Sequence, residues 1–318
     1  MPGWGDILSE INNSADADGN VNIDAIRDKY IQQVTSQTGR PLVIYAADWL
    51  NKGGPQTSID LGDMVGLMEV FRDQTSRELD LILHSPGGQA EACDRLVRYM
   101  RSKFDHVRVF IPMGAMSAAT MWAMAADEIV MGKHSQLGPI DPQIIMPTGW
   151  TMPAGALTTQ FKEASDECSA DPSRLTGWLP TLQQYPPGIL NVCENAAELA
   201  KNLVEEWLRT YMLKDHAEKD VLARDVAQWL ADDSTHLSHS RAITREDLTA
   251  QGLTITPLEG DQSLQDAVLS VFHVLMHTFN GTAVKIIENQ LGRRFVRHGG
   301  VQMVVNPGAP PPPQLIGP

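Results

Sequence analysis

Residues 81–88 read Leu-Ile-Leu-His-Ser-Pro-Gly-Gly, and residues 112–127 read Pro-Met-Gly-Ala-Met-Ser-Ala-Ala-Thr-Met-Trp-Ala-Met-Ala-Ala-Asp. The first stretch is typical of an apolar strand that ends in a glycine turn. The second is typical of a small-residue turn, holding Ser117, that leads into an apolar helix. Glycines at a strand exit allow backbone N–H groups to face a ligand, and a helix N-terminus favours a negative oxygen. Together the two turns indicate an oxyanion hole beside a nucleophile, and hence a hydrolase.

Strands and helices alternate around these two turns. Short apolar runs bounded by turn residues predict strands at 41–47, 79–84, 107–112 and 128–131. Apolar positions at helical spacing predict helices at 24–37, 59–71, 89–103, 117–126, 157–167, 189–214, 221–232, 264–279 and 282–291. Residues 172–188 contain several prolines and glycines and are expected to be irregular. The alternation predicts an α/β fold with a mostly parallel sheet.

Composition excludes several classes of function. The chain has 39 acidic and 25 basic residues and a net charge of −14, which argues against nucleic acid as the main partner. Its three cysteines, Cys93, Cys168 and Cys193, are scattered without a CxxC pair, so neither a disulfide framework, a metal site nor a cofactor is predicted. The N-terminal region lacks the pattern of a signal peptide, and the apolar stretch 115–126 is too short for a bilayer span. We therefore expect a soluble cytoplasmic protein without a transmembrane segment.

Three segments carry a resemblance to a known family. The Ser-Pro-Gly-Gly turn, the run Met113–Ala119 and the segment Ala125–Met131 resemble the ClpP/crotonase superfamily of peptidases. Within it the chain is most similar to the signal peptide peptidase A group, in particular its serine dehydrogenase proteinase (SDH) branch. Residues 237–253 extend the similarity, which is good over about 40–165 and moderate over 235–260. The resemblance implies a ClpP/crotonase-like fold of repeated ββα units with a mostly parallel sheet, plus C-terminal helices.

The resemblance also suggests how the chain is divided. We predict a polar N-terminal segment at 1–40 and a ClpP/crotonase-like peptidase domain at 41–260, with a helical excursion at about 170–232. A C-terminal helical segment at 261–300 and a disordered proline-rich tail at 301–318 follow.

Site residues follow from the resemblance position by position. Ser117 matches the nucleophile, and the backbone N–H groups of Gly88 and Ala118 match the oxyanion-hole donors. The residues expected to shape the substrate site around the serine are Gly87, Gly114 and Met116.

The general base is predicted from chain spacing. ClpP-like members use a histidine about 25 residues after the serine, but here the residue 24 positions after Ser117 is Asp141. Members of the signal peptide peptidase group use a lysine about 40 to 50 residues after the serine, and Lys162 lies 45 residues after it. A lysine acts as a base only when its pKa is lowered, which the neighbouring Glu163 and Asp166 would oppose if they pack against it. We predict a Ser117–Lys162 dyad.

Other candidate bases are assigned to structural roles. Lys133 and His134 are interpreted as turn residues, His84 as a packed histidine, and His236 and His239 as cap or surface residues. Asp141, between two prolines, is interpreted as ordering its own turn.

The predicted function is that of a serine endopeptidase acting on peptides or unfolded proteins, and the resemblance implies a homo-oligomer. The first alternative is a crotonase-like acyl-CoA enzyme, which would need a glutamate near the oxyanion hole; Glu91 is the nearest. The second alternative is a non-catalytic oligomeric scaffold of the same fold.

Overall fold

A computed structural model describes residues 3–146 and 149–299 of the chain. The strands are β1 (Leu42–Ala47), β2 (Glu78–His84), β3 (His106–Ile111), β4 (Gly114–Ala115), β5 (Glu128–Met131), β6 (Gln136–Leu137), β7 (Gln143–Ile145), β8 (Thr151–Pro153), β9 (Ile255–Pro257), β10 (Ala283–Asn289) and β11 (Arg294–His298). The helices are α1 (Trp4–Asn13), α2 (Ile23–Thr38), α3 (Asp63–Val70), α4 (Ala90–Lys103), α5 (Ala118–Met124), α6 (Ala154–Ala170), α7 (Leu175–Leu182), α8 (Ile189–Thr210), α9 (Lys219–Ala231), α10 (Asp233–His236), α11 (Arg245–Ala250) and α12 (Gln262–Thr278). Within the described ranges, no helix combines the length and the apolar character that crossing a bilayer requires.

The centre of the described structure is a seven-stranded sheet in the order β11-β10-β1-β2-β3-β5-β9. The five strands from β1 to β9 run parallel, while β10 and β11 are antiparallel to their neighbours. Helices cover both faces, with α4, α5, α8 and α9 on one side and α1, α2 and α12 on the other. Since both faces are buried, the strands are continuous apolar runs rather than alternating ones. The predicted α/β fold with a mostly parallel sheet is confirmed.

The C-terminal part differs from the prediction. The helix expected over residues 282–291 is wrong, because residues 283–289 form β10, which pairs antiparallel with β1. All seven residues of β10 are buried, and the β-branched Val284, Ile286 and Ile287 suit a strand covered on both faces. Only α12 of the predicted C-terminal helical segment is helical, and β10 and β11 follow it as a hairpin.

Two other regions are more ordered than their composition indicated. The polar N-terminal segment forms α1 and α2, whose apolar residues Ile7 and Ile31 pack in the core beside α12. The excursion at 172–188, expected to be irregular, contains α7. The proline-rich tail at 301–318 lies outside the described residues, and the division into domains stays a prediction.

The sheet brings the two diagnostic turns together. β2 and β3 are adjacent and parallel, so their carboxyl ends meet at one edge of the sheet. Beyond these ends, the Ser85 N–H donates to the Gly114 carbonyl at 3.1 Å, and the Met116 N–H donates to the Ser85 carbonyl at 2.9 Å. These bonds fix the Ser-Pro-Gly-Gly turn against the turn that carries Ser117.

Candidate active site

Ser117 occupies a strained position at the start of α5. Its backbone has φ 52° and ψ −121°, a conformation that residues with a Cβ rarely adopt. Serine at a helix N-cap usually bonds to a free backbone N–H, but the Ser117 side chain caps no described residue. Backbone strain of this kind persists where the surrounding structure imposes it, and it occurs often at nucleophile turns. The geometry therefore leaves the Ser117 hydroxyl available for chemistry.

Gly87 and Gly88 allow the neighbouring turn to approach the serine. Gly87 has φ +91°, and a Cβ there would lie 2.4 Å from the Met116 carbonyl oxygen and 2.8 Å from the Ala118 nitrogen. Gly88 has φ +155°, and a Cβ there would lie 2.3 Å from the carbonyl oxygen of Ile59. Each position combines a backbone conformation that favours glycine with the absence of room for a side chain. The predicted role of Gly87 in shaping this turn thus has a steric basis.

The backbone N–H groups of Gly88 and Ala118 are both available. Among residues 3–146 and 149–299, neither amide has a hydrogen-bond acceptor. Ala118 is the first residue of α5, where an amide has no partner within the helix and the helix dipole favours negative charge. Both residues line the same cavity as Ser117. Two free donors beside a hydroxyl are the components that stabilise a tetrahedral oxyanion.

The cavity that contains Ser117 has a volume of about 450 Å³. One side is formed by the two turns described above. The other side is largely apolar, because it is built from α5, α8 and the segment around β7; its lining includes Met121, Ile140, Ile144 and Leu199. A cavity with apolar walls and a few converging polar groups is typical of a small-ligand or peptide site.

His239 lines this cavity and is held by Asp141. The His239 Nδ1 atom lies 2.7 Å from Asp141 Oδ1. The Asp141 side chain is only 4% exposed, and its second oxygen accepts a hydrogen bond of 2.6 Å from Gln143 Nε2. A carboxylate only accepts, so Nδ1 carries the proton and Nε2 is left as the basic nitrogen of the ring. Asp141 therefore selects the tautomer that a general base requires.

A backbone bridge brings these two residues together. The N–H and C=O groups of Leu137 and Ile243 exchange hydrogen bonds of 3.0 and 2.9 Å in an antiparallel bridge. Asp141 and His239 each lie four residues from this bridge, on the same side of it. An antiparallel register continued over that distance places the two residues opposite each other. The sequence prediction missed this pair; its signals were an acid at the expected histidine position and a histidine in the second matching segment.

Lys162 lies elsewhere. Its side chain is 79% exposed, and its amine is 3.4 Å from Asp166 Oδ2 on the next turn of α6. It lines a separate surface depression with Thr158 and Phe161, and it does not line the described part of the cavity that contains Ser117. The structure therefore does not bring the predicted Ser117–Lys162 dyad together, and the dyad stays a prediction without geometric support.

The other predicted substrate-site residues lie beneath the cavity. Gly114 is buried in β4 against Trp49, and Met116 is 7% exposed and packs on Gly138. His84 supports the same turn, because its Nδ1–H donates to the Gly114 carbonyl at 3.1 Å. Burial lowers the pKa of His84 to about 4, against a smaller opposing effect of that hydrogen bond. These residues shape the turn that carries Ser117 from below.

The fold and the site are of the class of ClpP-like α/β hydrolases with a serine nucleophile. Residues 59–178 match a family model described as "ClpP-like SDH-type serine proteinase". The resemblance predicted from the two turns is thereby confirmed, and the family is one of serine peptidases.

Two relatives are uncharacterized proteins of Methanocaldococcus jannaschii. One is 27% identical over 154 residues, which cover 46% of this chain and 52% of the relative. The other is 44% identical over 66 residues, which cover 21% of this chain and 23% of the relative. The chain thus spans about half the length of the first relative and less than a quarter of the second. A solved structure, a mutant of the 1510-N membrane-bound stomatin-specific protease, aligns with 63% of this chain and 74% of its own at 14% identity and a TM-score of 0.36.

Proposed function

We propose that this protein is a serine endopeptidase that uses Ser117 as its nucleophile and His239 as its general base. The observation that carries the proposal is a shared cavity: Ser117, the His239–Asp141 pair and the residues of the two free amides all line or adjoin it. The order along the chain is serine, aspartate, histidine. Catalytic triads are recognised by geometry rather than order, and this same order occurs in α/β-hydrolases.

The first step is attack on the substrate carbonyl. His239 Nε2 takes the proton of the Ser117 hydroxyl as the oxygen bonds to the carbonyl carbon, and Asp141 stabilises the resulting imidazolium. Ser117 Oγ has no hydrogen-bond partner among the described residues, and such contacts in an empty site often tighten only when substrate binds. Because both elements already face one cavity, a small adjustment of the two side chains is sufficient.

The amides of Gly88 and Ala118 then stabilise the negative oxygen of the tetrahedral intermediate. His239 returns its proton to the leaving amine, the C–N bond breaks, and an acyl-enzyme remains on Ser117. Water, deprotonated by His239, attacks the ester and releases the acid product and the serine. The apolar wall formed by Met121, Ile140 and Leu199 is proposed to receive an apolar side chain of an extended peptide or unfolded protein.

Lys162 is the competing base. Its exposure and its Asp166 partner keep an amine protonated, whereas a catalytic lysine needs burial or a neighbouring positive charge. This is why the proposal assigns the base to His239. Cytoplasmic localisation and a homo-oligomeric state stay predictions that follow from composition and from the resemblance.

A crotonase-like acyl-CoA enzyme is the second candidate, because Glu91 lines the cavity with Gly88. That chemistry would use the same paired amides with Glu91 as acid or base. Stabilisation of the protein by coenzyme A, with no covalent labelling of Ser117, would favour it over the peptidase.

Labelling with a fluorophosphonate and hydrolysis of an unfolded casein test the proposal on four proteins. Wild type is expected to be labelled at Ser117 and to cleave; Ser117→Ala is expected to do neither. His239→Gln should lower kcat by about 10³-fold or more, because the general base is lost. The matched Lys162→Met variant should retain activity within about twofold.

The opposite pattern decides against the assignment. If Lys162→Met abolishes hydrolysis while His239→Gln leaves it intact, the base is the lysine. If Ser117→Ala cleaves as fast as wild type, the peptidase proposal is wrong. Urea unfolding of each variant verifies that the loss of activity is not a loss of fold.

A further inference from the structure

A buried group of charged residues lies beneath the oxyanion-hole turn, on the side away from His239. Lys285 of β10 and Asp63 of α3 are both fully buried, and the Lys285 amine lies 2.9 and 2.8 Å from the two Asp63 oxygens. Tyr45 of β1 donates to Asp63 Oδ2 at 2.6 Å, and an Arg297 nitrogen lies 3.2 Å from Oδ1. We call these four residues the Lys285 cluster.

The Lys285 cluster holds the backbone on both sides of Ile59. The Lys285 amine donates to the Ser58 carbonyl at 2.7 Å, which satisfies its third hydrogen. The Asp63 carboxylate accepts from the Asp60 N–H at 3.1 Å. The peptide groups before and after Ile59 are therefore bonded to buried charges rather than to water.

Ile59 in turn holds Gly88 in place. Its N–H donates to the Gly87 carbonyl at 2.7 Å, and its carbonyl accepts from the Gln89 N–H at 3.0 Å. Gly88 lies between these two bonds, with its α-carbon so close to Ile59 that no Cβ fits. The plane of the Gly88 peptide is set by this contact, and with it the direction of the Gly88 N–H.

We propose that Lys285 and Asp63 are positioning residues for the oxyanion hole, acting through Ile59 on the Gly88 amide. The inference rests on the proposed function, because it assigns the Gly88 amide a role in catalysis. It means that the C-terminal hairpin, which lies outside the segment 59–178 that matches the family, contributes to the site from behind. Neither residue touches substrate; the effect is on the geometry of the donor.

A purely structural role is the competing explanation, and the same strand provides its control. Glu288 of β10 is also fully buried and pairs with Arg27 of α2, whose side chain is 1% exposed. This second ion pair adjoins Thr278 and Arg294 rather than the segment 58–60. Buried ion pairs replaced as a pair by neutral residues often cost little stability, whereas loss of one partner is costly. Pairwise replacement therefore separates positioning from stability.

The test compares Lys285→Met/Asp63→Asn with the control Arg27→Met/Glu288→Gln in the full chain. For the first variant we expect kcat for peptide hydrolysis to fall by about 10- to 100-fold with KM within about threefold, because one oxyanion donor is misaligned. A peptidyl trifluoromethyl ketone, which forms the oxyanion, should lose affinity by the same factor as kcat. Amide hydrogen exchange in the segment 85–91 should accelerate in this variant only. The control should keep kcat within about twofold and leave the exchange of that segment unchanged.

The outcomes separate the two proposals. Equal losses of kcat in both variants, or unchanged exchange at 85–91 in the first, overturn the positioning role. If the first variant does not fold, Tyr45→Phe replaces it, since this removes one hydrogen bond to Asp63; unchanged kcat and exchange there overturn the role as well. If wild type neither cleaves nor is labelled at Ser117, the proposed function fails and the catalytic part of this inference fails with it. Faster exchange in the first variant would then still support the physical link from Lys285 to Gly88.

Discussion

Gly87→Ala tests whether the contact between the two turns is required. The substitution has two costs, which the structure separates. The positive φ of +91° costs an alanine about 1 to 2 kcal/mol, wherever in the chain it occurs. The added Cβ would lie 2.4 Å from the Met116 carbonyl oxygen, about 1 Å closer than the 3.4 Å of ordinary contact. Overpacking against backbone atoms costs a further amount of about 1 to 3 kcal/mol.

Gly19→Ala is the matched control. Gly19 has a similar φ of +82°, and a Cβ there would meet no atom within 4 Å. It should therefore show the conformational cost alone, about 1 to 2 kcal/mol of the free energy of unfolding, with normal kcat. Urea unfolding at pH 7 measures both variants, and Gly87→Ala should be the less stable by about 1 to 3 kcal/mol.

The catalytic effect follows from the same displacement. Relief of the clash requires one turn to move by about 1 Å, and a shift of that size in a catalytic group costs about 10²-fold in rate. We expect kcat of Gly87→Ala to fall by this factor, measured on active sites titrated with the fluorophosphonate. If Gly87→Ala is as stable and as active as Gly19→Ala, the two turns do not depend on this contact and the site geometry argued above is wrong.

Three further predictions address individual side chains. Asp141→Asn should lower kcat by about 10³- to 10⁴-fold at neutral pH with little change in the melting curve, because the amide stabilises the wrong tautomer of His239; a normal rate would contradict the triad. Because burial lowers the pKa of His84 to about 4, the unfolded chain binds this proton below about pH 6.5 and the folded protein does not. His84 therefore makes the free energy of unfolding decrease by about 2 to 3 kcal/mol between pH 6.5 and 4.5, and urea titrations should show this component in wild type and not in His84→Asn. Burial raises the pKa of the Cys93 and Cys193 thiols, so iodoacetamide should modify native protein at Cys168 alone; mass spectrometry showing equal modification at all three would contradict the buried placement.

The nucleophile and the oxyanion donors were predictable because their chemistry is local in sequence. Gly87 and Gly88 follow β2 directly, and Ser117 precedes α5 by one residue, so each turn carries its own signal. Parallel strands 2 and 3 then place both turns at one edge. The fold class was predictable for the same reason, since each strand and helix around these turns has its own period.

The hairpin of β10 and β11 was not predictable in this way. The run Ala283–Asn289 contains a lysine, a glutamate and an asparagine among apolar residues, which fits a helix face as well as it fits a strand. In the structure all three polar side chains are buried, with Lys285 bonded to Asp63 and Glu288 to Arg27. Their partners lie more than 200 residues away, so the burial of these charges has no local signal in the sequence.

The identity of the base depends on the same kind of distant contact. Spacing alone favoured Lys162, since a lysine 45 residues after the serine fits the pattern of one branch of the superfamily. Spacing describes where a residue lies along the chain, and it does not show whether a side chain is desolvated. A catalytic amine must be desolvated, and Lys162 is 79% exposed, whereas a histidine needs no pKa decrease to act near neutral pH. What a histidine needs is an oriented partner, and the Leu137–Ile243 bridge supplies it by joining Asp141 to a loop 98 residues further along. The base could therefore be assigned only once the pairing of these two loops was known.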